Sequence, residues 1–271
     1  PDWETLPYDV LSPQEELVSE RLEALYRLTA PTGGADVLLT SAVTASQRLS
    51  PVSYIGANTF FFHQGEQISL TTLQKRLAAA GYANVKQVLA AGEFAVRGSI
   101  VDVFPMGSER PFRLDFFDDE IESIRWFDVD TQRSMESAEE IRLLPGHEFP
   151  VDPEALLAFR QRWRREFAGD PKKSIVYCDI EKEILPPGIE YYLPLFFDET
   201  AALTDYLPPN ARVFLLGDIE AALQAFGRDM ASRYKVLAAD PQRPALAPER
   251  IWLKPEEFFK SLANFARFTV E

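Results

Sequence analysis

Two neighbouring stretches decide how the chain is read. The first is Phe94-Ala95-Val96-Arg97-Gly98-Ser99-Ile100-Val101-Asp102-Val103-Phe104-Pro105, followed by the turn-like Met106-Gly107-Ser108-Glu109-Arg110. The second is Phe112-Arg113-Leu114-Asp115-Phe116-Phe117-Asp118, which continues after Asp119-Glu120 into Ile121-Glu122-Ser123-Ile124-Arg125-Trp126-Phe127. Three alternating runs with two polar turns predict an antiparallel meander. Side chains alternate across a strand, so Phe112, Leu114 and Phe116 face a core while Arg113, Asp115 and Phe117 face the other way. Pairing through the 105–110 turn brings Arg97, on the neighbouring strand, close to Phe117. The expectation is an exposed ring flanked by two guanidinium groups, the residue types enriched among interface anchors. A plainer alternative packs Phe117 under a loop or against the other lobe and pairs both arginines with carboxylates; periodicity alone leaves both open and identifies no partner.

Outward from this stretch, Ser12-Pro13-Gln14-Glu15 has the form of a capping box, with proline at the first helical position. Leu17, Val18, Leu22, Leu25 and Leu28 follow at helical spacing and predict an amphipathic helix. Gly33-Gly34 closes that connection, and Ala35 to Val43 reads as a strand buried on both faces. From about Thr59 the texture changes: a helix capped by Thr71 or Thr72 and ended at Gly81 leads into the meander. After His147 an α/β pattern returns. A helix begins at Asp152-Pro153 and runs to about Phe167, Arg212–Leu216 is strand-like, and Asp218 caps a helix to about Tyr234. A helix from Pro255 and a strand near Phe268 complete the chain. The organisation expected is an α/β lobe, residues 1–58 and 148–271, interrupted by an inserted α+β domain with an antiparallel sheet, residues 59–147.

The 271 residues carry 46% hydrophobic and 12% aromatic side chains, enough apolar burial to offset chain entropy. With 28 Lys and Arg against 42 Asp and Glu, the formal charge is −14, which opposes a general DNA-coating surface. The insertion has nine Lys and Arg against fourteen Asp and Glu, a net of −5, so a protein partner is expected of it rather than DNA. One cysteine, Cys178, and two histidines, His63 and His147, exclude a disulfide framework and leave too few ligands for a Cys/His zinc site; Cys178 reads as an inert core thiol. No Gly-Lys pair occurs, so a phosphate-binding loop is absent from these residues. Asp118-Asp119-Glu120 reads as a solvated turn rather than a metal box. Arg160-Gln161-Arg162-Trp163-Arg164-Arg165, the most basic patch, reads as a solvated helix face before a nucleic-acid contact. No membrane-spanning run or signal peptide is found, so a cytoplasmic location is expected. The start at Pro1 reads as a cut from something longer.

Arg97-Gly98 before Asp102-Val103-Phe104-Pro105, the run Arg113 to Arg125, and Pro186-Pro187-Gly188-Ile189-Glu190-Tyr191-Tyr192 with Pro194-Leu195-Phe196-Phe197 resemble the N-terminal part shared by bacterial UvrB and the transcription-repair coupling factors. Trp3-Glu4-Thr5-Leu6-Pro7-Tyr8-Asp9 with Ser12-Pro13 and Arg21 resembles the coupling factors in particular, and the Tyr-rich hairpin of UvrB is missing. The resemblance implies a degenerate RecA-like lobe that has lost its nucleotide-binding residues, interrupted by a domain like the UvrA-binding domain of UvrB. It implies a UvrA-recruiting module of nucleotide excision repair, without catalysis or cofactor of its own. Arg97, Arg113 and Phe117 match the family's UvrA-contacting positions. ATP and magnesium would belong to motor domains of the parent protein, as would contacts with stalled RNA polymerase and DNA, and the family masks the UvrA-binding face in the resting parent. The competing expectation is a fragment of a UvrB-type ATP-dependent DNA repair enzyme that still binds nucleotide.

Overall fold

The computed structural model describes residues 1–29 and 37–270. Along the chain run α1 (Glu15–Thr29), α2 (Ala42–Ala45), α3 (Val52–Ala57), β1 (Phe60–His63), α4 (Leu70–Ala79), β2 (Ala83–Asn84), β3 (Glu93–Arg97), β4 (Ile100–Phe104), β5 (Phe112–Phe117), β6 (Glu120–Phe127), β7 (Ser134–Ala138) and β8 (Glu140–Leu143). There follow α5 (Pro153–Glu166), α6 (Ile175–Glu181), β9 (Arg212–Leu216), α7 (Ile219–Leu237), α8 (Pro248–Ile251), α9 (Pro255–Ser261) and β10 (Ala266–Val270). The fold is mixed α/β. Contacts divide it into two compact units, one of residues 14–24 and 55–152, the other of residues 1–13, 25–54 and 153–271. Most of α1 therefore groups with the insertion, whereas the sequence reading places all of 1–58 in the lobe.

The insertion is built on a six-stranded sheet of order β2-β3-β4-β5-β6-β7, antiparallel except for the β2–β3 pair. Phe94, Val101, Val103, Phe112, Leu114 and Phe116 are buried at alternate positions on one face of the sheet. Ile121 and Ile124 continue that face across a bulge in the β5–β6 pairing, and on the other face Ala95 and Phe127 form a smaller core with Val88. The run 94–105 is not one strand. Gly98, at φ +63°, and Ser99 turn the chain between Arg97 and Ile100, which pair across the hairpin. Glycine takes that left-handed backbone without steric cost. Ser69, not Thr71 or Thr72, caps α4 by accepting from the Thr72 amide at 3.2 Å, and Gly81 (φ +90°) ends it. A Cβ on Gly81 would meet the His147 ring at 2.8 Å, and that ring lies stacked on Phe149 with centroids 5.4 Å apart. Arg21 on α1 is 5% exposed and grips Glu148, 3% exposed, through Nε at 2.6 Å and Nη2 at 3.1 Å.

In the lobe, β9 and β10 form a parallel pair. Val213 and Leu215 pack on the core of Leu223, Phe258 and Leu262, while Phe214, Leu216, Phe268 and Val270 on the other side are exposed. Asp218 caps α7, accepting from the Ala221 amide at 2.9 Å. The arginine-rich helix is α5. Its Phe159 and Trp163 are core residues, Arg162 reaches Asp198 at 2.6 Å, and Arg164 lies over the Tyr177 ring at 5.4 Å. Local partners thus account for Arg162 and Arg164, while Arg165 is exposed. Cys178 lies on α6, partly buried, its thiol 3.4 Å from the Lys172 carbonyl.

Two further local expectations are corrected. The run 35–43 does not form a strand over its described part, 37–43: Val37 and Leu39 are 85% exposed, and Ser41 caps α2 through the Thr44 amide at 3.1 Å. Gly33-Gly34 and residues 35–36 lie outside the described residues. Ser12 does not cap α1, which begins at Glu15. Its hydroxyl donates to Glu190 at 2.8 Å and accepts from the Gly188 amide at 3.0 Å. Gly188 has φ +77°, and a Cβ there would lie 2.7 Å from the Asp9 carbonyl oxygen. Gly188→Ala is therefore expected to cost the lobe about 1–3 kcal/mol from the left-handed backbone, and the clash adds to that. A denaturant titration reads this loss as a lowered midpoint; an unchanged midpoint would contradict the Asp9–Gly188 contact.

Candidate partner-binding face

Cross-strand register sets the geometry of the sheet's second face. Ala95, Asp102, Arg113, Arg125 and Ser137 stand in one row from β3 to β7. The adjacent row runs Arg97, Ile100, Asp115 and Ser123. Phe117 stands one row further along β5, so its Cα is about 12 Å from that of Arg97, given strands about 4.8 Å apart and rows about 7 Å apart. Arg97 is thus two strands from β5, not on its immediate neighbour as the single-strand reading of 94–105 required.

The two arginines nevertheless meet, on a residue that the sequence reading did not select. Asp102 is 0% exposed, and its Oδ1 accepts from Arg113 Nε at 2.7 Å. Its Oδ2 accepts from Arg113 Nη2 at 2.9 Å and also from Arg97 Nη2. Arg113 Nη1 donates to the Gln132 carbonyl and the Ser134 hydroxyl, each at 3.2 Å, and its guanidinium lies 5.0 Å over the buried Phe127 ring. The hydrogen bond to Asp102 is the main reason that the Arg113 pKa moves up from its ordinary value. A charge-assisted bidentate pair of this kind fixes direction as well as energy. Arg113 is consequently mostly enclosed, its side chain 13% exposed, whereas Arg97 is 49% exposed. The ion-paired alternative describes the arginines, but no loop covers Phe117, which is 67% exposed.

A signal for Asp102 does exist in the sequence. An aspartate inside Ile100-Val101-Asp102-Val103-Phe104 is a carboxylate in an apolar strand, which must find a cationic partner if it is buried. The neighbouring Asp118-Asp119-Glu120 is an exposed turn with Asp118 at φ +53°. Among the described residues, no three His, Cys, Asp or Glu side chains gather in a way that could hold a metal ion, and no helix is long and apolar enough to cross a membrane.

A family model described as the UvrB interaction domain matches residues 60–149, the stretch from β1 to just beyond β8. The transcription-repair-coupling factor of Escherichia coli (strain K12) is 44% identical over 267 residues, 98% of this chain and 23% of its own length. Its counterpart in Haemophilus influenzae is 44% identical over 272 residues, 99% of this chain and 23% of its own. That of Bacillus subtilis is 31% identical over 228 residues, covering 78% and 19%. The chain is homologous to one region of the transcription-repair-coupling factors. It spans about a quarter of the length of these relatives. In this chain the motifs at Trp3–Tyr8 and Pro186–Tyr192 are used for packing: Trp3 meets Tyr191 edge-on at 5.4 Å, the Tyr191 hydroxyl donates to the Leu6 carbonyl at 2.8 Å, and the Tyr8 hydroxyl donates to the Leu246 carbonyl at 2.9 Å.

Proposed function

We propose that this chain is the UvrA-recruiting module of a transcription-repair-coupling factor, binding UvrA through the sheet face that carries Arg97, Arg113 and Phe117 and performing no catalysis itself. The observation that carries this reading is a large ring left two-thirds exposed at a strand end, on the same sheet face as a held arginine, inside the stretch that matches the UvrB interaction domain. Phe117 supplies the apolar anchor. Arg97 offers the donors that Asp102 leaves free to carboxylate or carbonyl oxygens, and Arg113 holds the face in register. The lobe is read as a degenerate RecA-like support for the insertion at 59–147, and the parent as an ATP-dependent DNA translocase that acts on stalled RNA polymerase through its other domains. The competing UvrB-type enzyme reading would require nucleotide to stabilise this chain.

Titration of the 271-residue chain with UvrA tests the reading. Phe117→Ala is expected to weaken binding by about 2 kcal/mol or more, roughly 30-fold, while the circular dichroism spectrum and melting curve stay those of the parent chain, because the ring is not part of the core. Arg97→Ala is expected to weaken binding in the same direction. Wild-type affinity in both variants would remove the proposal, and an ATP-dependent rise in melting temperature would favour the enzyme reading.

A further inference from the structure

Arg125 stands directly across from Arg113 on the same face of the sheet, yet it differs from the other two arginines in one respect. Arg97 and Arg113 share the Asp102 carboxylate; the Arg125 side chain is exposed and makes no hydrogen bond, ion pair or ring contact among the described residues. Asp115, the carboxylate of the adjacent row on this face, accepts from the Ser123 hydroxyl at 2.9 Å. Like charges placed opposite each other on neighbouring strands are destabilising. A position that breaks a local rule without a compensating contact points to a role outside the fold.

Charge distribution gives that role its chemistry. The insertion carries a net −5, so attraction for an acidic surface can arise only where cations concentrate locally. The row Asp102, Arg113, Arg125, with the row of Arg97 and Asp115 beside it, holds three cations against Asp115 and one buried anion, Asp102. Arg97 and Arg113 already direct donors to Asp102, which leaves Arg125 as the cation with its donors unengaged. It also projects from the strand beyond β5, on the side of Phe117 away from Arg97, and so widens the face rather than duplicating one edge of it.

We propose that Arg125 is a further UvrA-contacting residue, which steers association by pairing with a carboxylate on UvrA; the inference rests on the reading of this face as the UvrA site. Exposed charges of this kind act chiefly on the association rate and on its salt dependence. Stopped-flow or surface-based kinetics of UvrA with the 271-residue chain provide the test. Arg125→Ser is expected to slow association about five-fold at low ionic strength, with a difference that shrinks as salt is added, and Arg125→Lys to restore most of the rate. Because a like-charge contact is removed, the melting temperature of Arg125→Ser should equal or exceed that of the parent chain, which a purely structural arginine would not allow. Wild-type association by Arg125→Ser, alongside weakened binding by Phe117→Ala, would overturn the role of Arg125 alone. Wild-type behaviour in both would overturn the face itself, and a lowered melting temperature in Arg125→Ser would assign the residue to the fold.

Discussion

Asp102→Ala is expected to destabilise the insertion by about 3 kcal/mol, the low end for breaking a buried ion pair, because Arg97 at 49% side-chain exposure can recover hydration. Arg113 cannot. With a side chain 13% exposed and stacked over Phe127, it would keep a charge in place after losing two acceptors. Denaturant titration should show a lower midpoint with an unchanged slope. The paired replacement Asp102→Leu with Arg113→Met removes both charges together. Exchanges of that kind are often neutral or stabilising, so it should recover most of the lost stability. UvrA binding should not recover, since Arg97 would then have nothing to hold it. Recovery of both properties in the double variant would mean that the carboxylate has no part in presenting the face.

Acidification should weaken the insertion before its carboxylates titrate. His147 retains some surface in water, but its ring is stacked on Phe149 beneath Gly81, and burial pushes its pKa down from 6.5 to about 4. An unfolded chain takes up the imidazole proton near 6.5, whereas the folded one stays neutral until about 4. Between those values the unfolded state binds more protons, so stability rises with pH. The contribution is complete above about 6.5 and is lost as pH falls toward 4. Full loss corresponds to at most about 3 kcal/mol at 1.36 kcal/mol per pH unit, and residual hydration of the ring reduces it. Unfolding free energies of the parent chain and of His147→Gln, compared from pH 7 to 5, should converge as pH falls. Parallel curves would mean that the imidazole titrates normally.

What could be read from the sequence depended on how far each residue's partner lies along the chain. Alternation in Phe112–Phe117 identified both faces of β5 correctly, because a period of two is a property of the strand itself. Helix ends marked by Gly81 and Asp218 were legible for the same reason. The hairpin at Gly98-Ser99 was hidden because apolar residues continue on both sides of it, and a lone glycine in a strand also fits a bulge. Val37-Leu38-Leu39 has the composition of a buried strand, but a strand also needs an edge to pair with, and composition says nothing of that. Ser12 has the local form of a cap, yet its hydroxyl is engaged at Gly188 and Glu190. Within the candidate face, Phe117 and Arg113 followed from parity. The apolar strand around Asp102 signals that it needs a cation, but which cation, and the place of Arg125, follow only from the register that sets them in one row with Arg113.

Glu148 is the last residue but one of the stretch that matches the UvrB interaction domain, while Arg21, which grips it, lies well upstream. Excising the match at its own borders would take the Arg21 guanidinium away from an enclosed anion. Anyone transplanting this sheet onto another scaffold must therefore carry the early helix along as a second polypeptide segment, or exchange Glu148 for an apolar residue of similar volume.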